Sequence, residues 1–406
     1  MATRLAPPTP EGPDIVSAIL AAPGAEGGQT VATIEDGIPY FLNAFWTAGQ
    51  RRAHPLHEIS YRACFKPQLP SFFISRLTVP GETVFDPFMG RGTSPVEAAL
   101  LGRRPAGGDI NPLSVLLTRP RLAPPPAAAV DDALASIDWS GGEPQPSELG
   151  AFYHPETLAR LGALKAWLAQ VAPIGEAAPD PVADWIRMVA LTRLSGHSPG
   201  FFSGRSMPPN QAVSLKSQQR INARLGLAPP PRDVAALIGR KTRALLASGA
   251  MPSHPPALLA TGSADRARHL ADGSVALVVA SPPFLDVVDY AADNWLRCWF
   301  VGIDAAAIAI ARHRSVRDWE RMVRAVLAEQ ARIVRTGGHV AFEVGEVRGG
   351  TLLLERLVWQ AAEGLPFDRL GVMVNAQSFT KTANCWGVAN GRAGTNSNRI
   401  VLLRRR

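Results

Sequence analysis

No stretch of this 406-residue chain approaches 18 consecutive apolar residues, which excludes a membrane-spanning helix by length. The N-terminus opens Met1-Ala2-Thr3-Arg4 and runs into proline-rich sequence, without the basic-then-apolar order of a secretory signal. Cysteine is scarce: Cys64, Cys298 and Cys385 are an odd, widely spaced set with no Cys-x-x-Cys pair. That argues against a disulfide framework and a zinc site, so no metal is expected and the expected compartment is the reducing cytoplasm. Two further motifs are missing. The spacing Gly-x-Gly-x-x-Gly of dinucleotide sites does not occur, nor does the Gly-Lys-Thr/Ser ending of a P-loop, so neither NAD nor ATP is favoured as ligand.

Length permits a large core, read as one catalytic domain plus an insertion or small second domain. Lysine is rare, five among 42 basic residues, and the basic charge is concentrated. Between 190 and 246 stand Arg193, Arg205, Lys216, Arg220, Arg224, Arg232, Arg240, Lys241 and Arg243 against Asp233 alone. Their local excess equals the whole formal net charge of +8, leaving the remainder of the chain neutral. A localised positive field is the footprint of a polyanion partner, although a solvated helical face gives the same count.

Two motifs carry the chemistry. Residues 83–93 read as a strand breaking into a glycine turn, Asp86-Pro87-Phe88-Met89-Gly90-Arg91-Gly92-Thr93. Ser94-Pro95-Val96-Glu97 follows with the spacing of a capping box and proline at the first helical position, which leaves helix amides free to meet an anionic group. Far downstream, the buried-strand run 274–280 ends in Ser281-Pro282-Pro283-Phe284. Proline fixes φ near −65°, so this turn is rigid before any ligand arrives. It presents a hydroxyl, a carbonyl and an aromatic face, a set suited to a planar amino group.

With Gly108-Asp109-Ile110-Asn111-Pro112 between them, these motifs resemble the DNA amino-methyltransferases that use S-adenosyl-L-methionine, and specifically their cytosine-N4 branch. The resemblance covers about residues 54–119 and 257–406. It implies a doubly wound, seven-stranded, Rossmann-like methyltransferase sheet and double-stranded DNA as partner; a cognate restriction endonuclease would be a separate chain. On the cofactor side it implies Lys66 and Pro67 beside the methionine end, then Asp86, Pro87, Phe88, Gly90, Gly92 and Thr93. Asp109 and Ile110 follow, with Asp109 placed 23 positions after Asp86 to reach ribose hydroxyls. The family's Gly-Asp-Ala is replaced by Gly262-Ser263-Ala264-Asp265, so Ser263 or Asp265 is expected near the adenine. An acidic residue usual in the next strand is Ala276 here, and the tetrapeptide ends in Phe rather than Tyr.

In the implied reaction, Ser281 Oγ and the Pro282 carbonyl accept hydrogen bonds from the exocyclic amino group and localise its lone pair toward the methyl donor. Phe284 stacks on a base that has left the duplex. The proton becomes acidic only after transfer, so no strong general base is expected, and Glu343 and Glu346 read as structural or solvated. The catalytic set is thus Ser281, Pro282, Pro283 and Phe284. Lys381 and Trp386, on the loop before the last strand, are candidates for a phosphate and a splayed base.

Along the chain, residues 1–50 read as a partly disordered arm with an ordered piece at 38–47, and 51–120 as the cofactor-binding half. Residues 121–255 read as a helical insertion between the second and third strands, the candidate DNA-recognition region, and 256–406 as the catalytic half. In the insertion, Arg205, Lys216, Arg220 and Arg224 are the DNA-contact candidates, with Phe201, Phe202 and the amides of 217–222 placed to read base edges. Strands are expected at 83–85, 105–107, 257–259, 275–280, 339–344, 369–374 and 399–403. An amphipathic helix at 316–335 is expected to end at Gly337-Gly338. Three other activities remain open: adenine-N6 methylation, RNA amino-methylation, and a catalytically silent nucleic-acid adaptor.

Overall fold

A computed structural model describes residues 14–25, 27–46, 53–61, 64–176, 178–206, 212–283, 290–308, 315–345, 347, 351–376 and 397–406. Among them, nine strands form one sheet. In chain order these are β1 (Val31–Glu35), β2 (Ile38–Asn43), β3 (Thr83–Asp86), β4 (Arg104–Asp109) and β5 (Leu258–Thr261). They continue with β6 (Val275–Ala280), β7 (Val334–Val344), β8 (Phe367–Ala376) and β9 (Ser397–Arg405). The spatial order is β1-β2-β8-β9-β7-β6-β3-β4-β5. Only β9, against β7 and β8, and β1, against β2, pair antiparallel. The result is the doubly wound, Rossmann-like methyltransferase architecture expected from the motifs, with nine strands in place of seven.

The two additional strands correct the reading of the N-terminus. Helix α1 (Ile15–Leu20), capped by Asp14, and the β1–β2 hairpin lie in what read as an arm. β2 pairs parallel with β8, and Ile15, Ile19 and Phe41 are buried in one core cluster with Phe73 and Met373. The ordered piece expected at 38–47 contains β2, while proline and glycine at 22–28 made the rest of the segment look loose.

The central strands are buried on both faces; every residue of β3 and β6 is inaccessible, as parallel strands covered by helices must be. On one face pack α2 (Gln68–Leu77) and α1; on the other, α11 (Val316–Ile333) and α12 (Leu354–Ala361). α11 buries Trp319, Val323, Val326 and Leu327 at helical spacing. It does not run to Gly337-Gly338. The chain turns extended at Val334, and the glycines fall in an irregularity of β7 opposite Val275–Leu277. A Cβ on Gly338 would stand 2.9 Å from the Ala276 carbonyl, so the pair serves close strand approach rather than helix termination.

Between β4 and β5 the chain leaves the sheet through α4 (Leu113–Leu122) and builds α5 (Ala127–Ser136), α6 (Pro155–Val171), α7 (Pro181–Arg193), α8 (Leu215–Leu225) and α9 (Val234–Leu245). This is the position expected for the insertion. Its core is continuous with that of the sheet domain: Trp185, Ile186, Val234 and Ile238 share a cluster with Val96 and Ala99. Leu117 of α4 and Phe300 of α10 (Tyr290–Val301), the helix after the second motif, belong to the same cluster.

Strand order reverses between β3 and β6: β4 and β5 extend the sheet one way, β7 the other. Ligands of doubly wound sheets bind beyond the carboxyl ends at such a switch point. Both sequence motifs sit there.

Candidate active site

β3 ends on Asp86, 1% exposed, whose carboxylate accepts from Phe88 N at 3.0 Å and from Ser94 Oγ at 2.8 Å. Burial pushes its carboxyl up to about 7. One strand over, Asp109 closes β4; its two oxygens accept from Gly90 N and Asn111 N, both at 2.8 Å, and burial raises its pKa as well. Asp109 therefore stitches the turn after β3 to the turn after β4. Among the described residues neither carboxylate has an ion-pair partner.

Gly90 and Gly92 have φ of 49° and 77°, the left-handed region that favours glycine. At Gly92 the constraint is internal, since a Cβ would collide with Thr118 Oγ1 at 2.2 Å. At Gly90 it would face Tyr61 at 3.6 Å. The expected capping box does not form. Gly92 caps α3 (Thr93–Leu100), which places Ser94 inside the helix to donate to Asp86, and Glu97 pairs with the buried His57 at 2.9 Å.

The second turn is held from outside. Ser281 Oγ donates to Glu343 Oε2 at 2.5 Å, and Glu343 Oε1 accepts from Asn398 Nδ2 at 2.8 Å. Glu343 is 4% exposed and burial raises its pKa, opposed by those two donors. It is not solvated; of the two readings from sequence the structural one holds, and what it holds is the hydroxyl of Ser281. Glu346 lies outside the described residues.

Both turns open on one cleft of about 240 Å³. Asp86, Pro87, Phe88, Gly90 and Thr93 line it from the first turn, with Asp109 and Ile110 beside them. Ser263 and Asp265 face them, and Ser281 and Pro283 complete the wall. Gly92 and Pro282 sit behind the lining. Lys66 and Pro67 do not reach it; Pro67 caps α2, and the cleft is met instead by Tyr61, Cys64 and Phe65 just upstream. Met322 and Val326 of α11 also line it. Sequence reasoning missed all five, although Phe65, directly before Lys66-Pro67, and Tyr61, four residues earlier, were a usable signal. Phe284, Lys381 and Trp386 lie outside the described residues.

The cleft's polar groups fit a ligand with cationic and hydroxyl groups: a buried and a half-buried carboxylate with no cation beside them among the described residues, and a backbone open to close approach at Gly90. No cluster of metal-ligating side chains occurs among the described residues.

In the insertion, Arg205, Lys216, Arg220 and Arg224 are exposed and make no ion pair among the described residues. The last three follow one face of α8. The other expectations for this region are corrected. Phe201 and Phe202 are 6% and 0% exposed, packed in the core, with Arg193 stacked 4.3 Å over Phe201. Gln218 and Asn222 donate to the carbonyls of Arg205 and Ala151, so these amides brace the fold. Lys241 and Arg243 are paired with Glu58 and Asp131.

Residues 38–117 match the family model described as DNA methylase. Two curated relatives match locally. Over 72 residues the chain is 35% identical to the Type II methyltransferase M.MjaII of Methanocaldococcus jannaschii, covering 18% of this chain and 13% of that one. Over 103 residues it is 34% identical to the Type II methyltransferase M.MvaI of Kocuria varians, covering 25% and 22%. The chain thus spans less than a quarter of the length of either relative in alignment. Among solved structures, the rRNA methyltransferase aviRa from Streptomyces viridochromogenes aligns over 87% of this chain and 90% of its own, at 12% identity and a TM-score of 0.32. A likeness that distant carries no argument about activity. No described helix is long and apolar enough to cross a membrane.

Proposed function

We propose that this chain is an S-adenosyl-L-methionine-dependent DNA methyltransferase that modifies the exocyclic N4 amino group of cytosine. The observation that carries the reading is the convergence of the Asp86–Thr93 turn and the Ser281–Pro283 turn on one cleft. The family match at 38–117 supports DNA methylation in general; the serine that opens the tetrapeptide supports cytosine over adenine.

When bound, the cofactor supplies an electrophilic methyl group. Asp86 and Thr93 are assigned to its amino-acid end, Asp109 to the ribose hydroxyls, and Ser263 and Asp265 to the adenine. Ser281 keeps its hydroxyl proton and donates it in a hydrogen bond to Glu343, so its Oγ lone pairs remain to accept from the substrate's amino group. The Pro282 carbonyl accepts the second amino proton. Both bonds pull the nitrogen lone pair out of ring conjugation and aim it into the cleft. Glu343 then gives the proton released after transfer a destination through Ser281, a role that the sequence did not suggest. The exposed basic face of α8 is assigned to the DNA backbone.

The test is to incubate the protein with methyl-labelled cofactor and duplex DNA, digest, and identify the labelled nucleoside. N4-methylcytosine is the expected product. N6-methyladenine would move the base assignment, and label confined to RNA would move the substrate. Cofactor binding with no labelled nucleic acid would overturn the reading in favour of an adaptor.

A further inference from the structure

The catalytic turn contains two consecutive residues that cannot donate a backbone hydrogen bond, because proline has no N–H. Pro282 and Pro283 can be held only through their carbonyls or by packing. One carbonyl is taken: the indole Nε1–H of Trp319, a residue with no solvent exposure, donates to Pro283 O at 2.9 Å. Among the described residues nothing donates to the neighbouring Pro282 carbonyl, the one assigned to the substrate. Trp319 stands on α11, three and seven residues before Met322 and Val326, which line the cofactor cleft from the same helix face. One rigid helix thus touches the methyl-donor pocket and grips the amino-acceptor turn.

We propose that Trp319 is a positioning residue for methyl transfer. It fixes the Pro283 carbonyl so that Ser281 Oγ and the Pro282 carbonyl converge on a single amino group. The role rests on the proposed function and adds to it a residue that touches neither substrate nor cofactor.

A buried tryptophan also stabilises a core, so the test needs a matched comparison, and the molecule contains one. Trp185 is equally inaccessible and also donates its indole N–H, to Thr242 Oγ1 at 3.0 Å, but inside the insertion, away from the cleft. Trp319→Phe and Trp185→Phe make the same chemical change at the same burial. Single-turnover methyl transfer at saturating DNA and cofactor, counted per cofactor-binding site, is compared with melting temperature and cofactor Kd. Trp319→Phe should slow transfer about tenfold, the effect of one neutral hydrogen bond, with Kd within about twofold. Trp185→Phe should melt lower without slowing transfer. Trp319→His keeps a ring N–H in a smaller ring; it should lose more stability than Trp319→Phe yet less of the rate.

An unchanged rate in Trp319→Phe overturns the role, as does an equal loss in Trp185→Phe or a rate ranking that follows stability. If the parent protein itself transfers no methyl group to nucleic acid, the functional reading falls and this role with it. Transfer by the parent that Trp319→Phe leaves untouched removes the role alone.

Discussion

The turns after β3 and β6 sit side by side in the sheet yet are built on opposite plans. The carboxylates of the first are satisfied by near neighbours: Asp86 reaches Ser94 eight residues away and Asp109 takes Gly90 at 19, while Arg91 ties the rim to the Ile59 carbonyl 32 residues back. The second is held by distant ones, with Ser281 bonded to Glu343 at a separation of 62 residues and Pro283 to Trp319 at 36. A turn whose carboxylates are satisfied by the next strand and helix can prepare most of a ligand seat as soon as that strand pair forms. A turn braced from elsewhere keeps its geometry only once β7 and α11 have docked. The cofactor end is thereby predicted to tolerate damage to the rest of the domain better than the catalytic end does.

The most severe break of that contrast is Ser281→Ala. It should abolish methylation while leaving cofactor binding intact, and normal turnover in this variant would refute the assignment. Glu343→Gln should slow transfer by roughly a hundredfold, the scale of a lost proton acceptor. Because burial raises the pKa of Glu343, the parent's transfer rate should fall as pH drops, and the variant should flatten that limb; matching pH–rate profiles would exclude the relay.

Asp86 tests the other turn. Its carboxyl titrates near 7 when folded against 3.8 as a free side chain, so its contribution to stability is fully present below 3.8 and lost as pH rises through about 7. Asp86→Asn should therefore lessen the fall in melting temperature between these values. A cationic ligand favours the ionised form, so cofactor affinity should weaken by up to about tenfold per pH unit below 7 in the parent, and hardly at all in the variant. Calorimetry across pH 5–8, spanning roughly the usual range of such shifts, distinguishes the two. The mildest change is on the surface. Replacing Arg220 and Arg224 by alanine should weaken DNA binding and lower its salt slope by about 2, with transfer at saturating DNA unaltered. An unchanged slope would free α8 from the docking role.

The same contrast explains what could be read in advance. Strand, glycine turn and the 23-residue step to Asp109 are local patterns, and Asp86, Pro87, Phe88, Gly90, Thr93 and Asp109, named from them, all line the cleft. Ser281-Pro282-Pro283 was legible as a motif, but its braces were not. A glutamate in a strand and a tryptophan on an amphipathic helix carry no mark of the partner they will meet across the sheet. Charge counting failed for a related reason. Arg193, Lys241 and Arg243 raised the tally as much as Arg220 and Arg224, yet they are stacked or paired, and only the folded chain decides which cation finds an aromatic or acidic partner. At the N-terminus the ordered piece at 38–47 was legible, but its pairing with β1 and β8 was not, because a strand carries no mark of the neighbour it will join.

The insertion enters and leaves between the adjacent strands β4 and β5, an arrangement that invites treating it as an exchangeable cartridge. The core it shares with Val96, Leu117 and Phe300 forbids that. Cutting it out would strip the oily underside of the helices that carry the cofactor turn and follow the catalytic one. On the proposed function, a change of target has to be made by substituting surface residues of the insertion in place, because a graft from another scaffold would arrive without the half of the core it was moulded against.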